Sequence, residues 1–161
     1  MPVWVFLELI SFGSYIYFYL FCASRFNDIN MQQAGYILKK VKTIRNAAAH
    51  NSCIINNLKQ KNNPHQPSQA LKNALNQIGI SRNTQRNKLR NEPIEQIATC
   101  IYAHKIFVSS PGVQRHIAYI LDEFKNRLYR QYSYSNNLTI RSTFDFLIVI
   151  INAWFPLKIS S

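Results

Sequence analysis

The sequence predicts an all-α protein, and two observations support that prediction. Apolar residues recur at helical spacing in several segments, and only 4 glycines occur among 161 residues, too few for a turn-dense sheet protein. Hydrophobic residues make up 47% of the chain, which is enough to form a buried core, and the length suits one domain. We therefore expect a single helical domain over residues 1–161.

The first predicted element is the apolar segment from Val3 to Ala23, VWVFLELISFGSYIYFYLFCA. It is about as long as a membrane-spanning helix needs to be. However, Glu8 lies inside it, and a charge near the middle of a lone span costs roughly 2.5–3.5 kcal/mol. No basic residue precedes the segment, as a signal peptide would require. We therefore favour a buried pair of helices broken near residues 12–14 over insertion into a membrane.

The second predicted element is a helix that runs from about Gln32 into three consecutive alanines at positions 47–49. Its apolar face is formed by residues at i, i+4, i+7 and i+11, namely Ile37, Val41, Ile44 and Ala48. Alanine favours helix and adds little bulk. The polar residues at the ends of the alanine run would then lie on an open, accessible surface. The alternative is that the alanines form a tight packing contact between helices.

A polar segment with two prolines, Asn56 to Gln69, predicts an exposed linker. A short helix is expected over Ser68 to Ile78, ended by Gly79. The densest basic segment follows, with Arg82, Arg86, Lys88 and Arg90. If this segment is helical, its arginines form a positive ridge that could bind RNA phosphates, and a solvated face or flexible loop is the alternative.

Three further helices complete the predicted fold. Pro93 opens the first of them, with inward residues Ile94, Ile97, Ile101 and Phe107. The second has an apolar stripe formed by Ile117, Ile120, Leu121, Phe124 and Leu128. After a break at NNLTI, we expect an apolar last helix that begins at Ser142, with Asp145 in a capping-box-like position, and ends at Pro156.

The charge is strongly positive, with 19 Lys and Arg against 7 Asp and Glu, a formal net charge of +12. Such an excess favours anionic partners, either nucleic acid or acidic lipid. No Gly-rich phosphate loop occurs in the sequence, and the three cysteines, Cys22, Cys53 and Cys100, form no CxxC or Cys/His ligand cluster. We expect no metal, no cofactor, and a reduced cytoplasmic setting with the cysteines as small buried residues.

Three polar residues beside the alanine run, Arg45, Asn46 and His50, form a candidate catalytic patch. Asn46 and His50 are four apart and share a helix face, and the long side chain of Arg45 can reach over it. Histidine can act as a general base or acid, and arginine binds phosphate and stabilises developing negative charge. The set suits attack by an RNA 2′-hydroxyl on its neighbouring phosphate. A symmetric dimer would supply a second histidine and arginine, whereas a partly buried, capped histidine is the non-catalytic alternative.

The stretch RNAAAHN resembles the Arg-x4-His catalytic motif of HEPN ribonucleases. The N-terminal PVWVFLELISFGS resembles a segment that precedes this motif in the abortive-infection (Abi, AbiD/AbiF-like) branch of that superfamily. The positions that match the two motifs are Pro2, Trp4, Glu8, Ser11, Phe12, Gly13, Arg45, Asn46, Ala49, His50 and Asn51.

The resemblance implies a HEPN-like helical bundle, in a shortened form because members of that family are usually longer. It implies a metal-independent endoribonuclease that acts as a toxin-like effector in phage defence and is restrained by an RNA or protein antitoxin. Arg45 and His50 would be catalytic, with Asn46 beside them. Glu8, Ser11 and Asn51 match the motifs as structural support, and Glu8 would need an internal partner.

Two other functions remain open from the sequence. The chain could be a basic helical protein that binds RNA without cutting it, through the ridge at Arg82 to Arg90. It could also adhere to membranes through the apolar segment at residues 3–23 and the basic surface. We favour the ribonuclease, with RNA as substrate, a homodimer as the working form, and no membrane partner.

Overall fold

The computed structural model describes residues 2–55, 58, 67–130 and 133–157. The described residues form eight α-helices and no strand, which confirms the all-α class. Contacts divide the chain into two compact units, Met1–Ile54 and Ile55–Ser161. A single domain over the whole chain therefore stays a prediction.

The first unit contains α1 (Val3–Leu9), α2 (Phe12–Arg25) and α3 (Ile29–Ala49). Helices α2 and α3 lie side by side in antiparallel directions, because the start of α2 at Gly13 meets Lys42 and its later residue Leu20 meets Gly35. The two helices are joined by a tight turn at Asn27, whose φ of 53° is left-handed. Asparagine adopts this conformation more readily than most residues, which explains why the chain reverses at this position.

Side-chain caps fix where α2 and α3 begin. The Ser11 hydroxyl accepts a hydrogen bond of 3.1 Å from the Ser14 N–H. The Asp28 carboxylate accepts one of 2.9 Å from the Met31 N–H, so α3 begins at Ile29 rather than near Gln32 as predicted. Each cap satisfies a backbone donor that would otherwise lack a helical partner.

The apolar N-terminal segment forms two helices, as predicted, but the break and the burial differ from the prediction. The break falls before Ser11, since Ser11 caps α2 and leaves Gly13 inside the helix. Helix α1 has no buried residue, and the side chains of Val3 and Leu9 are about three-quarters exposed. Its packing within the unit includes an edge-to-face contact between Phe6 and Phe18, with ring centroids 5.9 Å apart. The prediction of a buried pair is therefore wrong for α1, because too few neighbours surround it.

The second unit contains the other five described helices. These are α4 (Gln69–Gln77), α5 (Arg82–Lys88), α6 (Glu92–Phe107), α7 (Pro111–Arg130) and α8 (Leu138–Trp154). Helix α8 is the centre of the core, and it packs against α6 and α7. Its fully or largely buried residues include Phe146, Leu147, Ile150 and Trp154. The β-branched run of this segment is therefore helical, as expected.

Some predicted details of the second unit are wrong. Helix α8 begins at Leu138 with Asn137 as its cap, so Ser142 lies inside the helix and forms no capping box with Asp145. Phe107 and Ile120, both predicted to face inward, are almost half exposed. Helices α4 and α6 begin close to their predicted positions, after the capping residues Ser68 and Asn91.

Most of the predicted linker, at residues 56, 57 and 59–66, lies outside the described residues. The three cysteines are free thiols. Cys53 is exposed, and Cys22 and Cys100 are half-buried, contrary to the prediction that all three are buried. Among the described residues, no helix is both long and apolar enough to cross a membrane.

Candidate functional site

The end of α3 displays the RNAAAHN motif. His50 is the last residue of the helical turn, and its N–H donates to the Asn46 carbonyl over 3.0 Å. Asn51 follows in the left-handed region with a φ of 50°. The N–H of Asn51 donates to Ala48, and that of Ser52 donates to Ala47. This pair of hydrogen bonds is a Schellman motif, in which asparagine is one of the few residues that fit. Asn51 therefore has a structural role in ending the helix directly after His50.

Arg45 and Asn46 are in direct contact. The Arg45 guanidinium donates a hydrogen bond of 3.1 Å to Oδ1 of Asn46. Arg45 and His50 have exposed side chains, and Asn46 is half-buried. Within the described part of the chain, the His50 side chain forms no hydrogen bond or ion pair. His50 and Arg45 of the same chain are therefore not linked by a hydrogen bond. The helix end thus presents a fixed Arg–Asn pair and an accessible imidazole.

A surface pocket of about 360 Å³ lies between α2 and α3 and ends at Asn46. Its lining residues are Gly13, Ile16, Tyr17, Lys39, Lys42, Thr43 and Asn46. Gly13 belongs to the N-terminal motif and Asn46 to the RNAAAHN motif. The antiparallel packing of α2 on α3 therefore brings the two motifs to one pocket, although Gly13 and Asn46 are 33 positions apart in the sequence.

The pocket is cationic. The Lys39 ammonium lies 5.4 Å from the centre of the Tyr17 ring and 5.6 Å from that of the Tyr36 ring, which are cation–π distances. The Lys42 side chain extends over Gly13, where an added Cβ would be 2.6 Å from its Nζ. Among the described residues, neither lysine forms an ion pair with a carboxylate. Both charges are therefore available to an anionic ligand.

The two N-terminal residues that were predicted as structural support, Ser11 and Glu8, have simple surroundings. Ser11 caps α2, and its hydroxyl also contacts the Ser14 hydroxyl at 3.0 Å. Glu8 is exposed, and it makes no hydrogen bond or ion pair with any described residue. The described residues therefore include no internal partner for Glu8, contrary to the expectation. An exposed carboxylate does not need one, because water solvates it.

The predicted basic ridge is only partly helical. Arg82 and Arg86 are exposed on α5, but Arg90 follows the end of that helix. Lys88 is half-buried and donates a hydrogen bond of 2.6 Å to the Ser142 hydroxyl. Burial also lowers the pKa of Lys88. Three exposed arginines therefore remain as candidate phosphate contacts, and Lys88 is engaged within the fold.

Buried polar groups in the second unit do not form a further site. Glu95 is fully buried, and its carboxylate accepts a hydrogen bond of 3.0 Å from the Thr99 hydroxyl. His104 packs edge-on against Phe155, and burial lowers the pKa of His104. Over the ranges that the structure describes, no three His, Cys, Asp or Glu side chains come together as possible metal ligands.

The two pocket lysines were not identified from the sequence as functional residues. The signal was available, because Lys39, Lys42 and Asn46 recur at i, i+3 and i+7 on α3 and so follow one face of the helix. The contribution of α2 could not be read from this pattern, since it depends on which helix packs against that face.

The fold and the site define an all-helical protein that presents an Arg–Asn–His motif at the end of a helix. Residues 1–56 match a family model described as Abi-like protein. This match confirms the predicted resemblance to an abortive-infection family over the first third of the chain, the part that contains both motifs. Neither a curated protein nor a solved structure matched the sequence.

Proposed function

We propose that the protein is a metal-independent endoribonuclease and acts as a toxin-like effector of abortive infection. The observation that carries this proposal is the coincidence of the Abi-like match with the exposed Arg45–Asn46 pair and His50 at the end of α3. A defence effector of this kind would be held in check by an RNA or protein antitoxin.

The residues at this helix end provide part of what the reaction requires. A base takes the proton from an RNA 2′-hydroxyl, and the 2′-oxygen forms a bond to the adjacent phosphorus. The bond from phosphorus to the 5′-oxygen breaks, and an acid protonates that oxygen. The products are a 2′,3′-cyclic phosphate and a 5′-hydroxyl. In this proposal His50 transfers protons, and Arg45, oriented by Asn46, stabilises charge on the phosphate.

One chain provides only one histidine at this position, and the reaction needs both a base and an acid. A twofold dimer that faces the two α3 ends toward each other would supply the second His50 and Arg45. The exposure of Arg45 and His50 is compatible with this arrangement. The dimer also accounts for the lack of a contact between Arg45 and His50 within one chain.

The test compares purified wild-type protein with His50→Ala and with His116→Ala, whose histidine is exposed on α7 and belongs to neither motif. We expect wild type and His116→Ala to cleave single-stranded RNA and to arrest growth when expressed. We expect His50→Ala to lose cleavage and toxicity while it still binds RNA. Equal cleavage by wild type and His50→Ala would contradict the proposal.

RNA binding without cleavage is the second candidate function, and one observation favours it. Among the described residues, Lys39 and Lys42 in the pocket form no ion pair with a carboxylate and could bind phosphates. The His50 side chain has no hydrogen-bond partner among these residues that would activate it as a base. In that case His50→Ala would change neither binding nor growth, and no RNA would be cut by any of the three proteins.

A further inference from the structure

We propose that the pocket between α2 and α3 is the subsite that binds the RNA strand beside the reacting phosphate. Lys39 and Lys42 would bind backbone phosphates, and the rings of Tyr17 and Tyr36 would stack on bases. The inference rests on the proposed function for the identity of the strand, but it concerns binding rather than the chemical step.

The first support is the electrostatic surroundings of the lysines. The first unit contains two carboxylates, Glu8 and Asp28, against five Lys and Arg residues. Asp28 caps the start of α3, and Lys42 lies 14 positions further along, or about 21 Å at the helical rise. Because Asp28 is so distant along the helix, it does little to neutralise the ammonium of Lys42 in salt solution.

The second support is the aromatic framing of Lys39. Its ammonium lies within 6 Å of the centres of both tyrosine rings, and Tyr17 and Tyr36 are more than half exposed. Proteins that bind single strands without sequence preference combine positive charges with exposed aromatic rings, since every base has a face that can stack. The same surface would serve an acidic lipid less well, because lipid headgroups carry no bases.

The third support is the position of Lys42 relative to the motif. Gly13 has no side chain, so the Lys42 stem lies against the backbone of α2 and its ammonium stays at the pocket. Asn46 lines the same pocket and accepts a hydrogen bond from Arg45. Lys42 and Asn46 are four positions apart, about 6 Å along the helix axis. A strand bound at Lys42 is therefore led directly to the Arg45–Asn46 pair.

The experiment measures binding of a fluorescent single-stranded RNA by anisotropy, in the His50→Ala background so that the RNA stays intact. The test variant adds Lys39→Gln and Lys42→Gln. A matched control adds Arg115→Gln and Arg130→Gln, which remove the same charge from exposed positions on α7. A charge-conserving variant, Lys39→Arg with Lys42→Arg, checks for loss through altered packing, and circular dichroism checks that each variant is folded.

We expect the lysine-to-glutamine variant to bind at least about 10-fold more weakly than its parent. For single strands, each phosphate that the protein neutralises contributes about 0.7 to the magnitude of the slope of log K against log salt. The loss of two phosphate contacts should therefore reduce that magnitude by about 1.4. The α7 control is expected to lose less affinity, and the arginine variant to keep most of it.

Unchanged affinity and slope in the lysine-to-glutamine variant would overturn the inference. It would also be overturned if neutralising Arg82, Arg86 and Arg90 abolished binding while the lysine variant kept it. A third contradictory result concerns anionic phospholipid vesicles. If the lysine-to-glutamine variant no longer bound such vesicles but still bound RNA as its parent does, the pocket would bind lipid rather than RNA.

The inference and the proposed function fail separately. If protein with His50 intact cuts RNA but Lys39 and Lys42 are dispensable for binding, only the subsite is wrong. If RNA binding depends on both lysines but no protein cuts RNA, the subsite stands and the ribonuclease proposal fails.

Discussion

Lys42 lies directly over Gly13, and a Cβ added to Gly13 would be 2.6 Å from its Nζ and 3.1 Å from its Cε. This contact joins the start of α2, which belongs to the N-terminal motif, to the face of α3 that leads to Asn46. It gives a physical reason for the two motifs to occur together, because each contributes one residue, Gly13 or Asn46, to the lining of the same pocket.

Replacement of Gly35 by alanine tests the packing of α2 on α3. The added Cβ would clash with Cδ2 of Leu20 and lie 2.8 Å from its Cγ, so the Leu20 side chain or the two helices must shift. Overpacking costs about 1–3 kcal/mol, and alanine regains about 1 kcal/mol of helix propensity. We expect a net loss of about 1 kcal/mol in urea unfolding. Gly112→Ala is the control, since nothing lies within 4 Å of its Cβ, and it should be neutral or stabilising. A gain in both variants would contradict the described packing.

Replacement of Ser11 by alanine tests the cap of α2. The variant loses the hydrogen bond to the Ser14 N–H, which costs about 1 kcal/mol, and the frayed helix start should weaken RNA binding at the pocket. Ser11→Asn, a neutral residue that caps about as well as serine, should restore both stability and binding. Ser68→Ala removes an equivalent cap from α4 and should lower stability without changing the affinity for RNA. If Ser11→Asn restores stability but not binding, Ser11 does more than cap the helix.

Replacement of Asn51 separates a structural from a catalytic role. The left-handed conformation costs roughly 1–2 kcal/mol for most residues and little for glycine. Asn51→Ala should therefore lose about 1 kcal/mol of stability, whereas Asn51→Gly should match wild type in both unfolding and RNA cleavage. Asn27→Gly, at the equivalent position after α2, serves as the control. Loss of cleavage in a stable Asn51→Gly protein would mean that the amide takes part in the reaction.

Acid should destabilise the second unit through His104. Burial lowers the pKa of His104 in the folded state, and among the described residues its buried Nδ1 has no hydrogen-bond partner. The unfolded chain then binds more protons below about pH 6.5, so stability falls as the pH drops through that value. We expect the urea midpoint to fall less between about pH 7.5 and about pH 5.5 in His104→Gln than in wild type. An equal fall in wild type and His104→Gln, or a fall in His116→Gln as small as that in His104→Gln, would argue against this assignment.

The helical class was predictable because periodic apolar residues dominate the sequence. The starts of α4 and α6 were also predictable, whereas α3 begins three residues before its predicted start. The predicted start of α8 is four residues too late, because the polar NNLTI stretch predicts a break, whereas its Asn137 is an effective N-cap. The exposure of α1 was not predictable, since local hydropathy does not report how many neighbours surround a helix.

The candidate site was predictable only in part. Arg45, Asn46 and His50 lie within six consecutive positions, so their placement at one helix end follows from local structure. The pocket depends on the pairing of Gly13 with Lys42 across two helices, which is a tertiary contact. Asn51 was assigned a supporting role from the motif, and the structure gives it a specific one in the turn that ends α3.

The most direct test of the ribonuclease proposal is end-group analysis of RNA cut in EDTA. Wild-type protein is incubated with a single-stranded RNA and with the DNA of the same sequence, beside His50→Ala and His116→Ala. We predict that wild type and His116→Ala cut the RNA alone, leaving 2′,3′-cyclic phosphate and 5′-hydroxyl ends, and that His50→Ala cuts neither. Cleavage of the DNA, or the same RNA products from His50→Ala, would contradict a 2′-hydroxyl attack that depends on His50.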